Sequence, residues 1–276
     1  MNISVVILTL NEEINLQGCL DSVKVSDDIV IFDSFSEDKT VEIASLAGAR
    51  VVKRKFDNYA AQRNAALHDV AYTHDWLLML DADERVTPEL LDEIDRVVQN
   101  PKQGVTLFRV RRKDYFFGKW LRRSSGYPTW FGRLFRSGQV TVAREINEEY
   151  LTDGEVGFLK EHLIHFPFNR GMCYWFERHN RYSSMEAKTL RAEVGRAFSF
   201  GAFVTGFLSG DPAVRRKTLK NFVYRLPLRP LVIFVYLYFI RLGFLDGRPG
   251  FRFCILRSIY EYMINIKLIE ISEDHK

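Results

Sequence analysis

Two patterns of hydrophobic residues alternate along the first hundred residues. Nearly continuous short apolar runs are typical of strands buried on both faces, and apolar residues three or four apart are typical of helices. The predicted strands cover residues 3–10, 28–32, 51–52 and 76–80, and the predicted helices cover residues 12–23, 38–47 and 60–69. Strands and helices alternating at this spacing predict βαβ units and a mostly parallel sheet, so the fold class is α/β.

Polar residues follow these strands where each one ends. Asn11 and Glu12 follow the first strand, Asp33 follows the second, and an Asp-Ala-Asp triplet at 81–83 follows the fourth. Right-handed crossovers bring the carboxyl ends of parallel strands to one edge, where α/β proteins bind ligands. We therefore expect these side chains to converge.

The pattern changes after residue 87. The later predicted elements are a helix at 88–98, strands at 104–112 and from 133 onward, and a helical stretch at 169–210. We therefore expect an α/β domain at 1–210 and a separate helical region at 211–276.

Charge is distributed unevenly, although the formal net charge is only +4. Residues 107–136 contain nine Lys/Arg and one acid, interleaved with aromatic residues, and residues 215–267 contain eleven Lys/Arg and two acids. The hydrophobic content of 47% and the charged content of 27% are ordinary for a globular protein and argue against a disordered chain.

Cysteine usage indicates a reducing compartment. Cys19, Cys173 and Cys254 are far apart, odd in number and without metal-ligand spacing, so they do not suggest a disulfide framework. The chain opens directly into an apolar run with no basic segment before it, which argues against a cleaved signal peptide.

The acidic triplet at 81–83 has two interpretations. Hard carboxylate oxygens suit Mg²⁺ or Mn²⁺, which proteins typically hold with one or two carboxylates plus substrate phosphates. An acidic turn before a helix, stabilised by the helix dipole, has the same composition. The triplet alone favours the acidic turn, but its sequence context reverses that preference.

That context is a set of four motifs in order, at residues 9–13, 33–40, 62–64 and 80–84. On these motifs the chain resembles family 2 glycosyltransferases of the GT-A fold, particularly bacterial enzymes similar to lipopolysaccharide-core and exopolysaccharide β-glucosyltransferases. The resemblance implies metal-dependent, inverting transfer of a hexose, with glucose expected, from a UDP-sugar to a saccharide hydroxyl.

The resemblance also implies the residues of the donor site. Those expected to bind the nucleotide sugar are Thr9, Asn11, Glu12, Asp33, Arg63, Asp81, Ala82 and Asp83. Within this set, Asp81 and Asp83 would hold Mn²⁺ or Mg²⁺, and Asp33 would contact the nucleoside together with Glu12. The residue types alone also allow helix capping near the first two strands and a solvated helix face around Arg63.

An inverting transferase also needs a carboxylate that takes the proton of the attacking hydroxyl. In similar enzymes a His-Glu pair, or an Asp, follows an Arg-Leu-Phe-Arg strand, which here occupies residues 133–136. Asn147 and Glu148 occupy the place of that pair, so Asn147 replaces the usual His. We predict Glu148 as the base, with Glu145 and Glu149 as alternatives and a solvated acidic turn as the structural interpretation.

His162 and His165 are three residues apart, a spacing that metal ligands also use. No third ligand motif accompanies them, so we interpret them as packed histidines, or as histidines that support a ligand, rather than as zinc ligands.

The most apolar part of the chain is the run at 231–240, bounded by Arg229 and Arg241. It has about half of the roughly 20 residues that span a bilayer. With an amphipathic stretch at 251–269, it predicts monotopic attachment to an anionic membrane surface. A buried core helix and the seam of a homo-oligomer are the alternatives. We expect a peripheral protein on the cytoplasmic face of the inner membrane, acting on a membrane-borne saccharide acceptor.

Other functions fit the sequence less well. A nucleotidyltransferase would usually have a Gly-rich, basic loop after the first strand, where this chain has Asn11 and Glu12. A non-catalytic membrane-bound scaffold would not need the intact acidic pair. We do not expect nucleic-acid binding, although the basic aromatic segment at 109–136 has a suitable composition, because the acidic donor site would repel a phosphate backbone.

Overall fold

The computed structural model describes residues 1–143, 149–194, 199–209 and 228–273, together with positions 215, 218 and 222. The chain forms two compact units. The first comprises Met1–Trp120 and Tyr127–Asn169, and the second comprises Leu121–Gly126 and Arg170–Lys276. The first unit thus ends well before residue 210, and a functional division at that residue stays a prediction.

The first unit is built on one large sheet and a small hairpin. Its strands are β1 (Ser4–Thr9), β2 (Asp28–Asp33), β3 (Arg50–Lys53), β4 (Trp76–Asp81), β5 (Glu84–Val86), β6 (Val105–Phe116), β7 (Lys119–Trp120), β8 (Trp130–Arg136), β9 (Thr141–Ala143), β10 (Glu149–Leu151) and β11 (Glu155–His165). Its helices are α1 (Glu13–Val23), α2 (Thr40–Leu46), α3 (Tyr59–His68) and α4 (Pro88–Gln99).

The large sheet has the order β3-β2-β1-β4-β8-β6-β11-β5, with β7 paired to β6. Strands β3, β2, β1 and β4 pair in parallel, as do β6 and β11. Strand β8 runs antiparallel to both of its neighbours, β4 and β6. The predicted βαβ order of the first four strands is therefore confirmed. Strand β6 continues to Phe116 and β8 begins at Trp130, because polar and aromatic residues at these ends also pair across the sheet.

Apolar side chains cover both faces of the central strands. One face packs under α1 and α4, whose Leu16 and Leu90 are fully buried, and the other packs against α3 through Ala66. Burying a side chain the size of leucine contributes about 1.5–3 kcal/mol. The continuous apolar runs therefore place β1, β2 and β4 at the centre and leave their polar carboxyl ends at the edge.

The second unit is helical. Its elements are α5 (Gly171–Val194), α6 (Phe200–Phe207), α7 (Arg229–Val235) with a π-helical turn (Tyr236–Ile240), a 3₁₀ turn (Gly243–Asp246) and α8 (Gly247–Glu273). Asp246 Oδ2 accepts hydrogen bonds from the backbone N–H groups of Arg123 and Ser124 at 2.9 and 2.8 Å. This carboxylate therefore fixes the short segment Leu121–Gly126 within the unit.

Helices α7 and α8 share a buried ion pair. Arg229, which bounds the apolar run in the sequence, is fully buried, and its Nε lies 2.9 Å from Glu261 Oε2. No single helix in the described ranges is long and apolar enough to cross a bilayer. The segments Arg229–Ile240 and Gly243–Ser272, which meet at a 72° bend, meet that criterion only as a pair.

The surroundings of His179 on α5 favour its neutral form. Its ring stacks on Trp175 with 3.8 Å between centroids and meets Tyr260 edge-on at 5.1 Å. Burial lowers the pKa of His179 to about 4, and the charge of Arg178 acts in the same direction.

We expect this depressed pKa to make stability depend on pH. Unfolding exposes a histidine with a pKa of about 6.5, so the unfolded chain binds more protons between pH 6.5 and 4. The contribution of neutral His179 to the free energy of unfolding is therefore complete above pH 6.5 and is lost as the pH falls towards 4. In thermal melts between pH 7.5 and 4.5, His179→Gln should flatten the acid-side decline in Tm relative to wild type. The matched change at exposed His68, His68→Gln, should leave that decline as it is; equal slopes in all three proteins would contradict the prediction.

Candidate active site

The carboxyl ends of β1 and β2 are joined through Asp33. Thr9 and Asp33 are paired residues of the two strands, and Thr9 Oγ1 donates to Asp33 Oδ1 at 2.8 Å. The second carboxylate oxygen accepts from the Ser36 backbone N–H at 2.8 Å. Asp33 is fully buried, so its carboxylate organises the two loops that follow these strands.

Asn11 and Glu12 lie in the loop before α1, at the same edge of the sheet. Asn11 has a left-handed backbone (φ 55°), and its Oδ1 accepts from the Glu37 backbone N–H at 2.8 Å. Helix α1 begins at Glu13, so Asn11 connects the β1 and β2 loops and does not cap this helix. Glu12 Oε2 accepts from Asn15 Nδ2 at 2.9 Å. The structure thus brings Thr9, Asn11, Glu12 and Asp33 together.

Asp81, the last residue of β4, is bound by two arginines. Arg63 Nη2 on α3 donates to one carboxylate oxygen at 2.8 Å, and Arg133 Nη2 on β8 donates to the other at 2.7 Å. Burial alone would raise the pKa of Asp81, but the charges of Arg63 and Arg133 hold it well below its usual range. Asp81 is therefore an oriented carboxylate with both oxygens engaged.

Arg133 is directed to this position by a β-bulge. The pairing of β8 with β6 passes from Leu134 to Gly132, so Arg133 is the extra residue of its strand. Bulges commonly re-aim a side chain next to a functional site. The buried guanidinium also binds Glu84, with Nε to Oε2 and Nη2 to Oε1 both at 2.9 Å. Arg133 thus connects the end of β4 with the start of β5.

Asp83 and His165 form a second pair at the same edge. His165 Nε2 lies 3.3 Å from Asp83 Oδ2, and its Nδ1 lies 2.7 Å from Asp114 Oδ1. Burial and Arg112 oppose protonation, but the two carboxylates outweigh them and raise the pKa of His165 to about 9. A cationic imidazolium between two carboxylates therefore occupies this position at neutral pH. Ala82, between the two acids, is buried.

The predicted base lies partly outside the described ranges. Glu148 and Glu145 are not among the residues that the structure describes. Glu149 is described; it is exposed at the start of β10 and pairs with Ala143 of β9.

Three residues of the site were not assigned to it from the sequence. From the sequence alone, Arg133 only begins the Arg-Leu-Phe-Arg strand, Glu84 is the last residue of the fourth motif, and His165 is a packed or supporting histidine. A signal existed for Arg133, because an arginine inside an apolar strand needs a buried acid. Only the folded sheet shows that Glu84 is that acid.

The sequence comparisons agree with this architecture. Residues 4–171 match the model of glycosyl transferase family 2, so the chain belongs to that family. Family membership confirms the resemblance drawn from the four motifs and the α/β, GT-A-like fold class.

Individual relatives extend over nearly the whole chain. An uncharacterized glycosyltransferase of Rickettsia typhi is 27% identical over 98% of this chain and 87% of its own length. The lipopolysaccharide core biosynthesis glycosyltransferase LpsC of Rhizobium meliloti is 26% identical over 97% of this chain and 92% of its own. Among solved structures, glucosyl-3-phosphoglycerate synthase from Mycobacterium tuberculosis gives a partial likeness. It covers 42% of this chain and 44% of that one, at 24% identity and a TM-score of 0.34.

We expect Arg133 to be a main determinant of the stability of the first unit. Arg133→Met would leave the buried Glu84 carboxylate without its bidentate partner, and breaking a buried pair in this way costs about 3–5 kcal/mol. Denaturant unfolding should show that loss. The matched change at exposed Arg96, Arg96→Met, should cost about 0.5 kcal/mol or less.

The double variant Arg133→Met/Glu84→Leu provides the second control. Removing both charges should recover part of the lost stability, because an apolar pair carries no desolvation penalty. A double variant less stable than Arg133→Met by the full cost of Glu84→Leu would show that the two residues act independently.

Proposed function

We propose that this family 2 chain is a metal-dependent, inverting transferase that moves a hexose, with glucose expected, from a UDP-sugar to a saccharide hydroxyl. The observation that carries the proposal is the acidic end of β4, where Arg63 and Arg133 fix both oxygens of Asp81 and His165 lies 3.3 Å from Asp83. The nucleotide would lie along the adjacent edge, against Thr9, Asn11, Glu12 and Asp33.

The two acids of the triplet take different roles in this proposal. Both oxygens of Asp81 are bound to arginines, so Asp81 would contact the donor as a carboxylate of fixed orientation. Asp83 would hold the metal. The paired His165 marks Asp83 as a carboxylate whose surroundings favour a cation, and bound metal would replace the imidazolium proton as that positive charge.

The residues present fit Mg²⁺ or Mn²⁺. No cluster of three His, Cys, Asp or Glu side chains in the described ranges forms a ready-made cage. These ions do not require one, since they are commonly bound by one or two carboxylates plus substrate phosphates and waters. When bound, the metal would stabilise the charge that develops on the leaving diphosphate.

The remaining protein step is proton removal from the acceptor. An inverting reaction needs a carboxylate on the face opposite the diphosphate, and we retain Glu148 for it, with Glu145 and Glu149 as neighbours. Strands β9 and β10, which precede and follow residues 144–148 in the sequence, contact α3 and β8. Asn64 Nδ2 on α3 donates to the Val142 carbonyl at 2.8 Å, and the Tyr150 ring stacks on Phe135 of β8.

The metal assignment predicts a specific loss of activity. Asp83→Asn removes the charge that would hold the ion, and loss of such electrostatic stabilisation costs on the order of 100-fold in kcat. Release of UDP from UDP-glucose should be measured with Mn²⁺, after EDTA treatment, and after Mn²⁺ is restored. The exposed acid of α4 gives the matched control, Asp92→Asn, which should keep wild-type activity and metal dependence. Wild-type turnover by Asp83→Asn, or wild-type turnover in EDTA, would contradict the assignment.

We also propose that the second unit attaches to an anionic membrane surface, which would place the acceptor at the bilayer. Phe239 and Ile240 are 54% and 69% exposed on the π turn, and Leu245 is 56% exposed after the bend. The cationic residues Arg248 and Arg252 are exposed on the next turns of α8. Apolar tips flanked by arginines suit the interface of an anionic bilayer.

The likeness to LpsC supports a lipopolysaccharide acceptor. Lipid-linked and exopolysaccharide acceptors would offer the same attacking group, a saccharide hydroxyl.

Flotation with vesicles tests this attachment. Wild-type protein should float with phosphatidylglycerol-containing vesicles in low salt, and Ile240→Glu should stay in the dense fraction because a charge replaces an inserted apolar tip. Leu46→Glu, at an 82% exposed position of the first unit, is the matched control and should float. Light scattering of the same variants tests the alternative, that the apolar face is the seam of a homo-oligomer. A wild-type dimer that Ile240→Glu converts to a monomer, without flotation of either, would identify the apolar face as a subunit seam.

A further inference from the structure

Strand β6 carries three cations on one face. Arg109, Arg111 and Lys113 occupy alternate positions of the strand, and alternate side chains point to the same face of a sheet. Arg112, between them, points to the opposite face, where it lies 3.4 Å from Glu84. Of the four cations of this strand, Arg112 is therefore compensated by Glu84, and the other three lie on the opposite face of β6.

Within the described ranges, these three cations have no acidic partner at ion-pair distance. Among the residues that the structure describes, none of Arg109, Arg111 and Lys113 forms an ion pair within 4 Å, and Arg111 Nε is buried without a hydrogen-bond partner. Glu161 acts on Lys113 from a distance and itself pairs with His162 at 3.7 Å. Burial together with the charge of Arg111 still lowers the pKa of Lys113. Glu89 also acts on Lys113 from beyond ion-pair distance, so in the described part of the chain two distant acids face three cations and the face carries net positive charge.

Aromatic rings border the same cations. Trp130 is the cross-strand partner of Arg111, whose guanidinium carbon lies 5.5 Å from the Trp130 ring centroid. Phe158, the cross-strand partner of Arg109, is 57% exposed and meets Trp130 edge-on at 5.1 Å. Aromatic faces pack against the apolar face of a sugar ring, and adjacent guanidinium groups bind phosphate or carboxylate. The two features together suit a sugar that carries an anionic group.

The register of the sheet places this face beside the donor end. Leu78 of β4 pairs with Leu134 of β8, and Leu134 pairs with Phe108 of β6. Since β4 and β6 run in the same direction, Asp81 and Arg111, each three residues further along, lie at the same level. They are two strands apart, a separation of about 10 Å at the usual strand spacing.

Asp81 and Arg111 also lie on the same face of the sheet. Met79 and Leu107 belong to one core cluster, and side chains separated by an even number of residues on a strand share a face. A ligand on the cationic face would therefore lie next to the carboxylate end where we place the donor.

We propose that Arg109, Arg111 and Lys113, bordered by Trp130 and Phe158, form an acceptor subsite for an anionic saccharide, one whose sugar carries a phosphate or a carboxylate. The biological role of this subsite rests on the proposed transferase function, whereas its binding chemistry does not.

Calorimetric titration of the full chain without donor tests the binding chemistry directly. The probes are glucose 6-phosphate, trigalacturonic acid and neutral maltotriose. At least one anionic probe should bind ten times or more tightly than maltotriose, and the stronger of the two identifies phosphate or carboxylate as the recognised group. Arg111→Gln should weaken that binding at least tenfold. Arg96→Gln, a matched change at an exposed arginine of α4, should leave it unchanged.

Three results would overturn the subsite. Equal binding of maltotriose and the anionic probes would show that charge is not recognised. Equal affinities of Arg111→Gln and Arg96→Gln for the anionic probe would show that the face of Arg111 does not bind it. Tighter binding of oligothymidylate than of either sugar would assign the face to single-stranded nucleic acid.

Titration of UDP with Mn²⁺ into the same proteins separates this proposal from the proposed function. Arg111→Gln should bind UDP as wild type does, because Arg111 lies two strands away from Asp81 and its described contacts are with Trp130 and His162. Anionic saccharide binding without any UDP binding by wild type would sustain the subsite and contradict the donor assignment. UDP binding without any anionic saccharide binding would do the reverse.

Discussion

The buried Arg133 guanidinium between Asp81 and Glu84 is the interaction on which the arrangement of the site depends. Removing a guanidinium from water carries a large desolvation cost unless its charge and N–H groups find partners. Here the carboxylates of Asp81 and Glu84 are those partners, and Glu84 binds in bidentate geometry. The carboxylates raise the pKa of Arg133 further above its ordinary value, against the effect of burial. The interaction holds β4, β5 and β8 in one register, so the chain between β4 and β5 crosses the sheet edge in a fixed path.

That path separates two acids which look equivalent in the sequence. Asp81 is committed to arginines, and Asp83 is presented on the crossing segment to His165, which Asp114 holds from its other ring nitrogen. Asp81 is thus fixed in orientation, whereas Asp83 is the acid that we propose holds the metal. Alternation along β6 directs Arg109, Arg111 and Lys113 towards the face of Asp81. The residues that we propose for the donor and for the acceptor therefore lie two strands apart on one face of the sheet.

The sequence predicted the parts of this arrangement that arise from local patterns. Apolar runs predicted β1, β2 and β4, and the polar residues after them predicted a shared edge, which the Thr9–Asp33 hydrogen bond demonstrates. Long-range pairing was not predictable from the same signals. Arg133 and Glu84 are 49 residues apart in the sequence, and their ion pair depends on a β-bulge that the residue types do not predict. The burial of Arg229 against Glu261 was missed for the same reason, because a flanking arginine in the sequence looks like a surface residue.

Anomalous diffraction from crystals grown with UDP and Mn²⁺ tests directly whether Asp83 holds the metal, because it locates the ion without relying on activity. We expect a manganese peak within coordination distance of a carboxylate oxygen of Asp83, with the contacts of Asp81 to Arg63 and Arg133 unchanged. A manganese peak on Asp81 with either arginine displaced, or full UDP density without a peak near Asp83, would contradict it.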